Sequence, residues 1–164
     1  MDDIFTYEYY SKLLSQIKTQ NYKFIFFDEV KNKSDSRFVI LRHDIDFDLD
    51  KAIKFAKIEK ELNVKSTYFF LLNSEFYNLY NLSNTNKILK IIEMGNQVGI
   101  HFDIKNYPPD EMGNIKTHVS KEISYFEDLF GIKVKIISFH RPDSNILLNK
   151  IDLDIDHTYL HKYS

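Results

Sequence analysis

The 164-residue chain contains no cysteine. That absence excludes disulfides, a thiolate nucleophile and any cysteine-bound zinc, and it fits a reducing compartment. Long apolar runs are missing too, since no stretch approaches the ~20 residues that a membrane span requires. The chain starts Met-Asp-Asp-Ile-Phe-Thr-Tyr, acidic at once and without an apolar run of signal-peptide length. The expectation is therefore a cytoplasmic protein with no membrane partner. Positive charge is not in excess: Lys and Arg number 22 against 24 Asp and Glu, a net charge of −2. No basic field invites nucleic acid. Arginine is scarcest, three residues against nineteen lysines, so each one marks a site where the default cation was not used. Two of the three, Arg42 and Arg141, fall inside the motifs below. With no repeat, low-complexity tract or linker, residues 1–164 are expected to form one domain, long enough for a real core.

What is present is an alternating pattern. Leu13, Leu14 and Ile17 predict a first helix over 4–19, and the aromatic-rich stretch 21–32 is expected to cover an edge of the core. Short apolar or β-branched runs at 38–41, 66–72, 97–102 and 134–139 predict four strands. Helical spacing predicts helices over 49–62, 86–94 and 116–130, the last two closed by Gly95 and Gly131. Asp46 or Asp48 is placed to cap the first of these three. Strands alternating with helices imply right-handed βαβ units and a parallel sheet. In such sheets ligands bind at the carboxyl ends of the strands. Three polar clusters fall there: Arg42, His43, Asp44 and Asp46; then His101 and Asp103; then His140 and Arg141.

In the first cluster, carboxylates alternate along Asp44-Ile45-Asp46-Phe47-Asp48-Leu49-Asp50. Mutual repulsion at that spacing asks for a cation among them. An EF-hand calcium loop is excluded, because position six would be Leu49 and position twelve Phe55. The Asp-x-Asp of nucleotide-sugar glycosyltransferases is a second possibility. A helix N-terminus rich in acids explains Asp48 and Asp50, but not Asp44 and Asp46 beside Arg42 and His43. His101, behind Gly95-Asn96-Gln97-Val98-Gly99-Ile100, offers an imidazole of the kind that binds zinc, with Asp103 two residues on. Each alone is also compatible with an ordinary histidine or a structural ion pair.

Together these motifs resemble the polysaccharide deacetylase family, the NodB-homology domain of carbohydrate esterases. His43-Asp44-Ile45-Asp46 resembles the first motif, Ser66-Thr67-Tyr68-Phe69-Phe70 the second strand, the glycine-flanked His101 run the second motif, and Phe139-His140-Arg141-Pro142 the third. The resemblance spans about 37–142 and implies a distorted (β/α) barrel. It implies Asp44 as general base, Asp46 and His101 as ligands of a divalent metal, and Arg141 as the partner of Asp44. Zinc is the first choice of metal, with cobalt, nickel or manganese as alternatives. His43 and His140 follow as proton-transfer or ligand-orienting candidates, and Tyr68, Pro142 and Ser144 as substrate contacts, with a backbone N–H near Asp143 or Ser144 stabilising an oxyanion. The implied substrate is a carbohydrate, an acylated amino sugar, and the implied reaction is hydrolysis of its amide.

The sequence departs from the family at two places. The second metal histidine should lie four residues after the first, but that position is Lys105. Asp103 or His140 must then complete the set; Asp103 ranks slightly ahead, because adjacent residues on a regular strand point to opposite faces and Arg141 is already directed inward. The tail 151–164 offers His157 and His161 but no further helix-strand unit, so the barrel is expected to be incomplete. Its open edge would be covered by 21–30, by the tail, or by a second copy of the chain. An inactive relative of the fold, acting as a binding module, is the alternative to a hydrolase.

Overall fold

A computed structural model describes residues 5–32, 37–108, 113–148 and 151–163. Helix α1 spans Tyr7–Thr19, with Thr6 capping its N-terminus. Residue 4, the expected start of this helix, and the His161 side chain lie outside the described residues. Strands β1 (Lys23–Ile25) and β2 (Phe38–Ile40) pair in parallel as a small ribbon. The main sheet follows: β3 (Arg42–Ile45), β4 (Thr67–Phe70), β5 (Gln97–Asp103), β6 (Ile136–His140) and β7 (Asp156–His157). All five are parallel and lie in sequence order. Helices α2 (Leu49–Glu61), α3 (Leu82–Glu93) and α4 (Ile115–Phe130) form the connections. A single turn, α5 (Ser144–Leu147), follows β6.

The α/β expectation holds, with three local differences. The run at 38–41 holds one short strand that ends at Ile40 and is followed at once by another: Phe38–Ile40 pairs with β1, and pairing with β4 starts at Arg42. Arg42, His43 and Asp44 are therefore within a strand rather than after it. Helix α3 starts at Leu82, earlier than its apolar spacing suggests, because Asn81 caps it through Ser83 N–H. The tail, expected to add no strand, supplies β7, which is too short to leave a hydrophobic pattern. Asp48, not Asp46, caps α2 by accepting from Asp50 and Lys51 N–H, which leaves Asp46 available.

Strand alternation divides the chemistry between two faces. Tyr68, Phe70, Val98, Ile100, Phe102, Ile137 and Phe139 point toward α2, α3 and α4 and form the main core. On the other face Phe69 and Ile136 pack with Phe27, against the partly buried Ile40 and Tyr163. Gly99 lies between them; a Cβ there would sit 2.5 Å from the Ile136 carbonyl oxygen and 3.0 Å from the Phe69 ring.

The sheet is strongly curled. In a flat sheet, four steps of ~4.8 Å would separate β3 from β7 by about 19 Å, beyond an arginine's reach. Yet Arg42 on β3 donates to Thr158 Oγ1 at 2.8 Å and to Tyr159 OH at 3.3 Å, just past β7. The first and last strands thus approach across a concave interior. The Phe27 ring meets Tyr163 and Phe69 with centroids 5.1 and 6.2 Å apart, so the aromatic-rich segment and the tail both cover this side.

Candidate metal centre

The concave face carries Arg42 and Asp44 from β3, His101 and Asp103 from β5, and Ser138 and His140 from β6, each pair two residues apart on one strand. Asp46 follows β3 directly. Three of these converge at the carboxyl ends. His101 Nε2 lies 3.3 Å from Asp46 Oδ1, His140 Nδ1 lies 3.3 Å from the same oxygen, and the two nitrogens are 3.1 Å apart. Separations of 3.1, 3.3 and 3.3 Å lie close to the roughly 3.3 Å edge of a tetrahedron with ~2.0–2.1 Å bonds, the bond lengths of zinc to N and O ligands. Asp46 Oδ1 is buried and makes no hydrogen bond, and the same is true of Asp44 Oδ1 and His101 Nδ1. Buried acceptors left without donors are costly unless something positive fills the space. Burial holds the His101 imidazole below its ordinary pKa, against the pull of Asp44 and Asp46, which favours the neutral form that binds metals. The residues present therefore fit a divalent cation.

Asp44 stands next to the trio, with Oδ1 3.9 Å from His101 Nδ1. Its partner is Arg42, whose Nη2 donates to Oδ2 at 2.8 Å. Arg141, expected there, instead donates to Asp103 Oδ2, while Asp103 Oδ1 accepts the Lys105 N–H at 3.1 Å. Asp103 is thus occupied, and it is His140 that joins Asp46 and His101. Regular alternation argued against His140 and Arg141 serving one site. The structure resolves this with a bend: Arg141 has φ +54, left-handed and uncommon for a side-chain-bearing residue. Spacing could have revealed Arg42, since it shares a face with Asp44 by strand period. Thr158 and Tyr159, which hold the other side of its guanidinium, carried no local signal.

Two expected residues lie on the opposite face. The His43 ring stacks on Tyr68 at 4.6 Å on the helix side. Both bind the fully buried Glu59: His43 Nε2 at 2.6 Å and Tyr68 OH at 2.7 Å, with Ser66 and Tyr10 hydroxyls at 2.6 and 2.5 Å. Burial would raise the Glu59 carboxyl, but hydrogen bonding and charge from His43, with Ser66 and Tyr10, hold it below the usual range. This network ties α1 and α2 to the sheet and places neither His43 nor Tyr68 among the donors. Pro142 and Ser144 lie in the turn entering α5, outside the residues that line the cavities at the trio.

Those cavities flank it. One of about 370 Å³ runs along β3 and is lined by Arg42, Asp44, Asp46, Lys51 and Phe55. Another of about 170 Å³ is lined by Asp46, His140, Asp103, Arg141 and the loop Asn73–Phe76. Its rim carries Phe47 and Phe76, more than half exposed and in edge contact at 4.7 Å.

No family model and no curated protein matches the sequence. Solved structures do match in shape. IcaB from Ammonifex degensii superposes with a TM-score of 0.63 at 12% identity, over 80% of this chain and 65% of that one. The Streptococcus pyogenes deacetylase PplD, solved in complex with acetate, gives 0.62 at 17% identity, over 85% and 65%. The chain thus spans about 65% of the length of either neighbour. Among the described residues no helix is long and apolar enough to cross a membrane. With its curled parallel sheet and its polar residues gathered at the carboxyl ends, the chain has the polysaccharide deacetylase fold.

Proposed function

We propose that the chain is a metal-dependent hydrolase that removes an acyl group, acetyl in the first instance, from the nitrogen of an amino sugar. The observation that carries this reading is the convergence of Asp46, His101 and His140, with unpaired buried acceptors, beside an arginine-held aspartate. A divalent cation held by the three, zinc first and cobalt, nickel or manganese as substitutes, supplies Lewis acidity toward the amide carbonyl. Arg42 occupies Oδ2 of Asp44 and leaves Oδ1 toward the trio. Asp44 is placed to take a proton from the attacking water. The water oxygen joins the carbonyl carbon, the C–N bond breaks, and the proton on Asp44 is available to the departing amine. Arg141 fixes Asp103 at the cavity wall.

One observation favours a second reading, a module of this fold that binds without turnover: Arg141, which the family resemblance pairs with the base, is committed to Asp103. The two separate on one pair of measurements. Zinc titrated calorimetrically into chelator-treated protein should bind, and His101→Ala, His140→Ala or Asp46→Ala should each weaken it about 100-fold or more, whereas Asp103→Asn should cost no more than about 10-fold. Acetate release from an N-acetylated sugar should vanish in Asp44→Asn while zinc binding persists. Zinc bound with no acetate released by the wild-type chain selects the module. Binding that survives loss of both histidines places the metal elsewhere.

A further inference from the structure

Arginine and aspartate commonly meet through two parallel N–H···O bonds, because the guanidinium fork matches the two carboxylate oxygens. Arg42 and Asp44 do not. Nη2 donates to Oδ2 at 2.8 Å, while Oδ1 is buried and accepts no hydrogen bond. A buried carboxylate oxygen left bare beside a five-donor guanidinium is a costly arrangement, so something holds the fork open. The residues in place to do so belong to the tail.

A guanidinium offers a carboxylate two forks, Nη1 with Nη2 and Nε with Nη2. The first is closed, because Nη1 donates to Thr158 Oγ1 at 2.8 Å. The second requires the guanidinium to turn about Nη2. Tyr159 opposes that turn: its hydroxyl accepts from Nη2 at 3.3 Å, and its ring centroid lies 5.2 Å from Cζ, within cation–π range. Both tail hydroxyls are themselves aimed. Thr158 Oγ1 gives its proton toward Ser138 Oγ at 3.4 Å, and Tyr159 OH toward the Phe139 carbonyl at 3.5 Å, so each turns lone pairs to Arg42. The backbone is fixed as well, since Thr158 N–H bonds Ile137 O at 3.0 Å. Apolar side chains would serve a simple closure of the sheet. Acceptors directed at chosen nitrogens of one guanidinium do more than close it.

We propose that Thr158 and Tyr159 are positioning residues of the site: by occupying Arg42 they keep its pair with Asp44 one-pronged, so that Oδ1 stays turned to the trio instead of closing onto a second N–H. This rests on the hydrolase reading, in which that oxygen takes the proton from water. It makes the tail after β7 part of the site rather than only a cover for the sheet.

The full zinc-loaded chain is compared with Thr158→Val, Thr158→Ser and Tyr159→Leu, and thermal melting checks that each variant folds. Acetate release from the β-1,4-linked dimer of N-acetylglucosamine is the kinetic probe, and a crystal structure of each variant reads the pair. Thr158→Val and Tyr159→Leu should each lower kcat about tenfold, with KM held within about twofold. Thr158→Ser keeps the acceptor and should restore turnover. In the Thr158→Val and Tyr159→Leu crystals, Oδ1 of Asp44 should lie about 2.7–3.0 Å from a second Arg42 nitrogen. A pair that stays one-pronged in both variants overturns the proposal, as does a two-pronged pair with turnover undiminished. If the wild-type chain releases no acetate, the hydrolase reading fails on its own, and the crystals still decide whether the tail holds the fork open.

Discussion

Glu59 and Glu122 are both almost fully buried, and their surroundings drive them apart. Glu59 is held ionised by His43 and three hydroxyls, whereas burial pushes Glu122 up to about 7, with Tyr107 opposing and Asp103 adding to the rise. A carboxyl whose folded pKa exceeds its unfolded value binds more protons when folded. Stability is then greatest at low pH and is lost as pH rises toward and through the folded value. For Glu122 the window runs from the ordinary 4.5 to about 7, and the loss is at most about 3 kcal/mol. Urea melts at pH 5.5 and 8.5 should show the wild type weaker at the higher pH and Glu122→Gln nearly indifferent. A wild type equally stable at both would show Glu122 to be better solvated than the structure has it. At this scale the sequence disclosed residue types but not partners. Asp44, Asp46 and His101 stood out in the sequence by their places at strand ends and by the family resemblance, and the structure brings the three side chains close together. Strand period alone puts Arg42 beside Asp44, whereas Arg141 turns to Asp103 through a left-handed φ that no local pattern announces.

Among the elements, β5 is the one on which the site hangs, carrying both His101 and Asp103 and pairing with β4 and β6. Gly99 lets it pass between the Phe69 ring and the Ile136 carbonyl. Gly99→Ala forces a backbone contact that no rotamer can relieve, and it should cost about 1–3 kcal/mol. The shift falls on the β5–β6 pairing, so zinc affinity should drop alongside the melting temperature. If zinc binding is unchanged in a destabilised Gly99→Ala protein, the two strands do not set the histidine geometry. Element types and order were readable because the helices and buried strands follow strong periods. The break at Leu41 and the two-residue β7 were not, since both are fixed by which neighbour offers hydrogen bonds.

For the whole molecule the decisive feature is the curl that brings β3 within one side chain of β7. Arg42 spans the interior and also holds Asp44. Arg42→Gln should therefore cost about 1–3 kcal/mol. It should also speed amide exchange at Thr158, whose N–H bonds Ile137 O, with little change in β4. Equal acceleration in β4 and β7 would mean the arginine supports the entire sheet rather than its closure. The parallel α/β class was evident from alternation, but curvature is a property of side chains far apart in sequence, and only the assembled structure displays it.

Strand β3 has one further implication. Its odd and even positions face two unlike environments: Arg42 and Asp44 toward the concave interior, His43 toward Glu59. The strand behaves as a reading frame with two messages. Lengthening or shortening the stretch 38–41 by one residue would send Asp44 toward the buried Glu59 and His43 toward the concave face, without changing a single letter of the motif. The β1–β2 ribbon upstream and the Thr67 N–H held by Leu41 O set where that frame begins. A substitution in β3 alters one of these faces, whereas a one-residue insertion or deletion upstream exchanges both at once.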